Sequence, residues 1–115
     1  FVLMHGGFPR TRELADLAKR FANVVVDISW LPMLSQPAAA SAVAEFVTLV
    51  PHHKIVWGGD AVFAEETYGA FKIGVEAIAR GLAQLVEAGW VNAVDAVDLA
   101  VHIMGKNARE VFGLR

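Results

Sequence analysis

Apolar and polar residues are arranged along the chain in a pattern that predicts strands and helices in turn. Three short apolar runs predict buried strands, at Phe1–Met4, Val24–Trp30 and Lys54–Trp57. The first run is apolar throughout and predicts a strand buried on both faces. Between these runs and after the last one, apolar residues recur at helical spacing, which predicts helices. The predicted order is β-α-β-α-β-α-α-α, which is typical of parallel strands joined by right-handed helical crossovers.

Capping residues predict where several of the helices begin. Ser35 and Pro37 indicate the start of an alanine-rich helix, and a long helix is predicted from Thr67 to about Ala88. Asn92 and Asn107 are each followed three residues later by an acid, which predicts N-caps for the last two helices. The residues predicted to face the core of the three longer helices are Leu14, Leu17, Ala18 and Phe21, then Val43, Phe46, Val47 and Val50, then Phe71, Val75, Ile78, Leu82 and Leu85.

The composition indicates that part of the apolar surface is covered from outside these residues. The apolar fraction is 56%, against about 45–50% in soluble globular domains, although a small domain should be more polar than average. A missing N-terminal portion of the same polypeptide or a homo-oligomer partner would provide the cover. Because the chain opens at Phe1 inside an apolar strand, we expect residues 1–115 to be a single partial domain lacking its N-terminal portion.

The charged residues exclude several classes of partner. Ten basic and twelve acidic residues are scattered along the chain with a net charge of −2, so no basic stripe predicts nucleic-acid binding. Cysteine is absent, so a metal would be bound by His, Asp or Glu. No apolar run reaches the roughly 20 residues that span a bilayer, and no charged-then-apolar leader is present. These features predict a cytoplasmic protein with no nucleic-acid or membrane partner.

Polar residues follow each predicted strand. His5 comes after the first strand, Asp27 and Ser29 end the second, and Asp60 follows the third. Because the carboxyl ends of parallel strands share one edge, where α/β enzymes place their ligands, we expect these residues to lie on one rim. A His and an Asp there could bind a divalent metal or act as a base with its orienting partner. His5 and Asp60 are therefore the candidate catalytic and metal-binding residues.

Structural explanations stand beside each functional one. A strand-end His before glycines is often structural, and an Asp after Gly58-Gly59 often forms a turn through its own side chain. Glycines beside both residues equally allow a ligand to approach the backbone. Trp30 and Trp57 could form a wall of a substrate pocket or belong to the core. His52 and His53 are expected on the surface before the third strand, and His102 on a polar helix face. Arg10 and Arg12 could bind an anionic group or lie on the surface, and Glu65, Glu66, Thr67 and Tyr68 could reach the rim or belong to a helix start that acids favour.

The motifs in their order resemble the amidohydrolase superfamily. These are His5-Gly6-Gly7-Phe8-Pro9, then Asn23 to Ser29, then Val50-Pro51 with Lys54 to Asp60, and last the ending from Ile103 to Leu114 with its Asn-Ala-Arg. Within this superfamily, the motifs resemble the branch that includes carboxymuconate-semialdehyde decarboxylases and amidohydrolase modules fused to glutamine-synthetase-like domains. It covers essentially the whole chain.

The resemblance implies a fold, a metal and roles for the two candidate residues. The fold would be α/β, and the chain the C-terminal part of a (β/α)₈ TIM barrel, comprising about strands 6 to 8 with their helices. His5 would match the sixth-strand histidine, which acts on substrate or binds a second metal. Asp60 would match the eighth-strand aspartate, which binds or lies beside the metal and orients or deprotonates the attacking water. The usual metal of the family is Zn²⁺, which activates water for attack on a C–N or C–O bond.

The resemblance leaves two alternatives open. The family's first-strand His-x-His pair and fifth-strand histidine have no counterpart here, so we expect the 115 residues alone to be inactive, because a catalytic zinc normally has about three protein ligands. A decarboxylase or isomerase could use the same scaffold, since fold does not set the reaction. A half-barrel without catalysis, serving as an assembly module, is the alternative from another class.

Overall fold

A computed structural model describes residues 1–114 of the chain. The strands are β1 (Val2–Leu3), β2 (Val25–Asp27) and β3 (Ile55–Val56). The helices are α1 (Thr11–Arg20), α2 (Leu31–Leu34), α3 (Gln36–Leu49), α4 (Ala64–Glu87), α5 (Ala93–Val101) and α6 (Asn107–Phe112). Short 3-10 turns occur at His5–Gly7 and His52–Lys54, and a π-helical turn at His102–Lys106 joins α5 to α6. The predicted order is confirmed, with the short α2 as an element that the pattern did not indicate.

The three strands form one parallel sheet in the order β1-β2-β3. Leu3 pairs with Val26, and Val26 pairs in turn with Ile55. The predicted α/β class with parallel strands is confirmed, and helices make up most of the chain. Because the strands are parallel and adjacent, their carboxyl ends lie along one edge of the sheet.

The core forms where α3 packs against the sheet and α4. Ser35 caps α3 through its hydroxyl oxygen, which accepts a hydrogen bond from the Ala38 N–H at 3.3 Å, and Pro37 occupies the first turn. The predicted start of this helix is thereby confirmed. The four residues of α3 that are predicted to face the core are all buried, and among them Val43 and Phe46 are completely inaccessible to solvent.

Helices α3 and α4 approach each other closely at Gly81. A Cβ atom added to Gly81 would lie 2.5 Å from the Ala40 carbonyl oxygen and 2.8 Å from the Val43 Cβ. Neither neighbour is the free end of a flexible side chain, so the helices would have to separate. Gly81 therefore sets the distance between the two helices.

We expect Gly81→Ala and Gly69→Ala, both on α4, to change stability in opposite directions. Alanine is favoured over glycine within a helix by about 1 kcal/mol, and a Cβ at Gly69 meets no atom within 4 Å, so G69A should stabilise. G81A should lower the free energy of unfolding by roughly 1–3 kcal/mol, because overpacking exceeds that gain. Urea titration of both variants measures the difference. Equal stabilisation by the two would contradict the close helix contact.

The first strand is more exposed than expected, and so are several residues of α1 and α4 that are predicted to face the core. Val2 and Met4 are 38% and 46% exposed, so the expectation that this strand is buried on both faces is wrong for the described residues. The reason is that β1 is an edge strand, with no neighbour on its outer side within residues 1–114. Four residues predicted to face the core are also exposed, Leu17 and Phe21 at α1 and Phe71 and Val75 on α4.

Asn107 is not the N-cap that the sequence predicts. Its backbone is helical (φ −59°, ψ −43°), and its side chain is fully buried. The side-chain NH₂ group donates to the carbonyl oxygens of His52 (2.6 Å) and Ile55 (2.8 Å). The Trp57 N–H donates to the Ile103 carbonyl oxygen of the π turn at 3.0 Å. The C-terminal segment thus provides hydrogen-bond partners for backbone groups of β3 and of the residues that flank it.

Helix α4 is the longest helix of the described residues. It begins at Ala64, three residues before the predicted Thr67, and ends at Glu87. Gly89 follows in the left-handed region (φ +74°), as expected of a C′ glycine. No helix within residues 1–114 combines the length and apolar character needed to cross a membrane.

Candidate active site at the carboxyl ends of the strands

His5 lies in a tight turn that begins directly after β1. The turn has positive φ angles at His5 (61°), Gly6 (59°) and Gly7 (66°). The Gly7 N–H donates to the Met4 carbonyl oxygen at 3.1 Å. A Cβ on Gly6 would lie 2.7 Å from the buried Leu31 Cδ2. Position 6 needs glycine because its φ angle is positive and because no space remains for a Cβ atom. The chain leaves the direction of β1 at His5.

The end of β2 carries a buried carboxylate that is bonded to its own turn. Asp27 Oδ1 accepts the Ser29 backbone N–H at 2.9 Å, and Asp27 Oδ2 accepts the Ser29 hydroxyl at 2.6 Å. Both residues are more than nine-tenths buried. The Gly58 backbone packs over them, since a Cβ there would lie 3.9 Å from Asp27 Oδ1. Asp27 therefore lies beside the rim, with both of its oxygens engaged in holding the turn.

His5 is bonded to this turn. Its Nδ1 lies 3.1 Å from the Ser29 carbonyl oxygen, and its ring is partly buried. The bond joins the end of β1 to the end of β2. The two strand ends that the sequence predicts to lie together are therefore in direct contact.

Trp30 connects the remaining strand end to the other two. Its indole N–H donates to the Asp60 carbonyl oxygen at 2.8 Å. Its ring also lies edge-on to His5, with centroids 6.4 Å apart and planes at 60°. His5, Ser29 and Asp60 therefore surround one tryptophan. The sequence singled out Trp30 only as a wall or core residue, because no local pattern reveals a bond to a residue thirty positions away.

Three residues other than glycine have positive φ angles among the described residues, and each follows a different strand. They are His5 (61°), Trp30 (61°) and Asp60 (45°). Side chains with a Cβ enter this region at a cost of about 1–3 kcal/mol each and need surrounding structure to hold them. Such residues concentrate at active sites and ligand clamps. The strained backbone therefore coincides with the rim that the sequence indicates.

The other polar candidates lie away from this rim or have structural partners. His52 and His53 are exposed in the turn that precedes β3, at the opposite end of the sheet. Arg12 forms an ion pair with Glu45 at 2.7 Å. Glu66 accepts the N–H of Val62, which orders the start of α4. Arg10, Glu65, Thr67 and Tyr68 are wholly or partly exposed, and nothing in the structure joins them to His5.

Trp57 and His102 have structural roles. Trp57 packs edge-on against Phe71 with ring centroids 6.0 Å apart, and a Cβ on Gly74 would collide with its indole at 2.5 Å. His102, predicted on a polar helix face, is partly buried and its Nδ1 lies 3.2 Å from Asn107 Oδ1. Both residues therefore belong to the packing around α4 and α6.

The residues at the rim offer two donors to a divalent metal ion. The Asp60 side chain is exposed, and His5 has its Nε2 unengaged while Nδ1 bonds to Ser29. Carboxylate oxygen and imidazole nitrogen are suitable ligands for zinc. Within residues 1–114, no three His, Asp or Glu side chains come close enough together to bind one ion. The described residues thus fit a part of a metal site.

A groove of about 670 Å³ lies elsewhere, between α3 and α4. Its charged residue Arg80 is bonded to Glu76 on the same helix. The groove contains no histidine, and its other lining residues are small or uncharged apart from Glu87. The groove brings together no chemistry comparable to that of the strand ends.

The chain is an α/β protein with a polar rim at the carboxyl ends of its parallel strands, the place where α/β folds form their ligand sites. The profile of the family described as amidohydrolase matches residues 1–114, and the chain belongs to that family. The predicted family is thereby confirmed.

Two proteins of known sequence or structure are similar to the chain. One is the Emericella nidulans protein fluG, 30% identical over 99% of this chain and 13% of its own length. The other is the crystal structure of a Lactobacillus casei ATCC 334 protein described as a metal-dependent hydrolase, 27% identical with a TM-score of 0.77. It matches 97% of this chain and 29% of its own. The chain spans only a small part of the length of both proteins.

Proposed function

We propose that the chain forms about the sixth to eighth β/α units of a (β/α)₈ barrel hydrolase, with His5 and Asp60 in its active site. The observation that carries the proposal is the convergence of three strained residues at the ends of three adjacent strands, in a chain of the amidohydrolase family. Catalytic residues of barrel enzymes lie at the carboxyl ends of several strands.

Two observations support the place of the chain within a larger barrel. The chain matches 29% of the Lactobacillus casei structure while nearly all of the chain itself is covered. The outer side of β1 is a shallow groove of about 410 Å³, formed by Val2, Leu3 and Met4 together with residues of α1. A further β/α unit packed there would cover the apolar residues that β1 exposes.

Asp60 would hold a divalent ion together with ligands from other strands, and we propose Zn²⁺. His5 Nε2 either reaches the same ion or contacts the substrate beside it. Asp27 is not assigned as a ligand, because both of its oxygens accept hydrogen bonds from Ser29. When bound, the ion lowers the pKa of a water and polarises the carbonyl under attack.

Three side chains of the chain have distinct roles in the proposed reaction. The Asp60 carboxylate orients the attacking water and accepts its proton. His5 Nε2 binds the same ion or accepts a hydrogen bond from a small-molecule substrate that carries a C–N or C–O bond. Trp30 holds the Asp60 backbone through its indole N–H and excludes water from one side of His5.

We expect His5→Ala and Asp60→Ala each to lower kcat/KM of the complete barrel enzyme by roughly 100-fold or more, the usual effect of losing a proton-transfer group. Asp60→Ala should also reduce bound metal, measured by elemental analysis. The control is His53→Ala, an exposed histidine at the opposite end of the sheet, which should change neither quantity. Unchanged turnover in both site variants would contradict the assignment.

The 115 residues alone are expected to lack hydrolase activity, because two donors do not complete a catalytic metal site. The test is turnover and metal content of the purified chain. Activity with stoichiometric metal would overturn this expectation. A lyase or isomerase product in the complete barrel would keep the site and replace hydrolysis as its reaction.

A further inference from the structure

We propose that Asp27 and Ser29 are positioning residues that hold the His5 ring with its proton on Nδ1, so that Nε2 presents a lone pair at the rim. The inference rests on the proposed function for its purpose, since it concerns the histidine assigned to that site. It goes further by naming which ring nitrogen acts and which residues determine it.

The tautomer follows from the partner of the ring. His5 Nδ1 lies 3.1 Å from the Ser29 carbonyl oxygen, and a carbonyl oxygen only accepts hydrogen bonds. Nδ1 must therefore carry the proton when the neutral ring makes this bond. Nε2 is then the acceptor nitrogen, because a neutral imidazole has one N–H and one lone pair.

The Ser29 carbonyl is held in place by several contacts. The Asp27 carboxylate binds the backbone N–H and the hydroxyl of Ser29, which closes the turn after β2. The Ser29 carbonyl oxygen also accepts the Leu31 N–H at 2.6 Å across Trp30, whose φ is +61°. Ser29 itself is only 1% exposed. The carbonyl therefore cannot turn away from His5 without breaking bonds inside the protein.

This arrangement matches what the proposed site requires. A histidine that binds a metal or accepts a proton uses a lone pair, and its other nitrogen typically donates to a carbonyl or carboxylate. Removing such a partner usually costs about 10–100-fold in metal affinity or activity. The bonds between Asp27 and Ser29 give the buried Asp27 carboxylate a role, because they hold the carbonyl group that positions His5. They also explain why Asp27 lies at the rim without facing it.

The test is the tautomer of His5 in the metal-free 115-residue chain, measured from ring ¹⁵N chemical shifts in long-range ¹H–¹⁵N spectra. The pH should be about 8.5, above the ordinary histidine range near 6.5. Signals are assigned with His→Gln variants at the four histidines. We expect a protonated Nδ1 and a lone pair on Nε2 for His5. His53, exposed and without a side-chain hydrogen bond in the described residues, should show averaged tautomers. A protonated Nε2 on His5 overturns the proposal.

The role of the pair is tested with Asp27→Ala and Ser29→Ala. Both should increase the Nε2-protonated fraction of His5, Asp27→Ala more strongly, because Ser29→Ala retains the bond between the backbone N–H and Asp27. Near-UV circular dichroism checks the fold, and if Asp27→Ala unfolds, Ser29→Ala decides. The control is Asp16→Ala, an exposed carboxylate bonded to Arg20. An unchanged tautomer in a folded site variant contradicts the positioning role.

The two proposals fail in different ways. The tautomer is measured without metal or substrate, so it stands if the complete barrel proves to have no hydrolase activity. An active barrel in which His5 carries its proton on Nε2 would retain the proposed function and exclude this inference. The two results come from different variants and are read separately.

Discussion

Phe46→Ala should lower the free energy of unfolding of the chain by about 3–5 kcal/mol, the usual range for a buried phenylalanine. Phe46 is completely buried on α3. It also lies beneath the His5 turn, since a Cβ on Gly6 would come within 3.5 Å of its ring. The variant therefore removes packing from the core and from the base of the site. Urea unfolding, followed by far-UV circular dichroism, measures the change.

Phe46→Leu is the matched control, because it retains most of the apolar volume and should cost clearly less than the alanine variant. The large variant should also perturb the His5 signals in the spectra described above, whereas a distant core change such as Leu85→Ala should not. A loss below about 1 kcal/mol for Phe46→Ala would mean that the ring is not packed as described.

Asn107→Ala should cost roughly 2–4 kcal/mol of unfolding free energy. The substitution removes two hydrogen bonds to backbone carbonyl oxygens and leaves the buried Ile55 carbonyl without its donor. An orphaned buried polar group costs about 1–3 kcal/mol in addition to the lost bonds. The same urea titration measures this effect.

Asn92→Ala provides the comparison. Asn92 caps α5, where its side-chain oxygen accepts the Asp95 N–H at 2.9 Å in an exposed position. Loss of such a cap costs about 1 kcal/mol. If Asn107→Ala cost no more than Asn92→Ala, Asn107 would act as an ordinary helix cap, and the account of its bonds to backbone groups at β3 would be wrong.

Local signals in the sequence determined the parts of the fold that were predicted correctly. Ser35, Pro37 and Asn92 act on helix termini through bonds within three residues, so their meaning can be read from the neighbouring sequence. The parallel strands followed in the same way from alternation with helices. Asn107 shows where this reasoning fails. Its spacing to Glu110 matches a cap, but its partners lie more than fifty residues away, on β3 and in the turn before it.

The exposure of β1 could not be deduced from its residues. Val2 and Met4 are as apolar as residues of a central strand, and only the position of the strand at the sheet edge exposes them. The same holds for Phe71 and Val75 on α4. Apolar periodicity predicts which side chains need to be covered, and it does not say whether the covering element belongs to these 115 residues.

The candidate site was predicted in part. Placement after strands indicated His5 and Asp60, and the structure brings both into contact with Trp30; their roles in catalysis stay predictions. Three features had no sequence signal: the positive φ angles, the bond from Trp30 to Asp60, and the engagement of Asp27 by Ser29. The bond from Trp30 to Asp60 depends on how separate strand ends meet in space, whereas the bonds between Asp27 and Ser29 lie within one turn.

The central claim is that His5 and Asp60 share an active site with a divalent metal ion. The most direct test is a crystal structure of the full-length protein grown with Zn²⁺, with diffraction recorded at the zinc absorption edge. The account predicts an anomalous peak about 2.0–2.2 Å from a carboxylate oxygen of Asp60, with His5 Nε2 turned toward the same pocket. A zinc ion bound in the barrel away from both residues would contradict it.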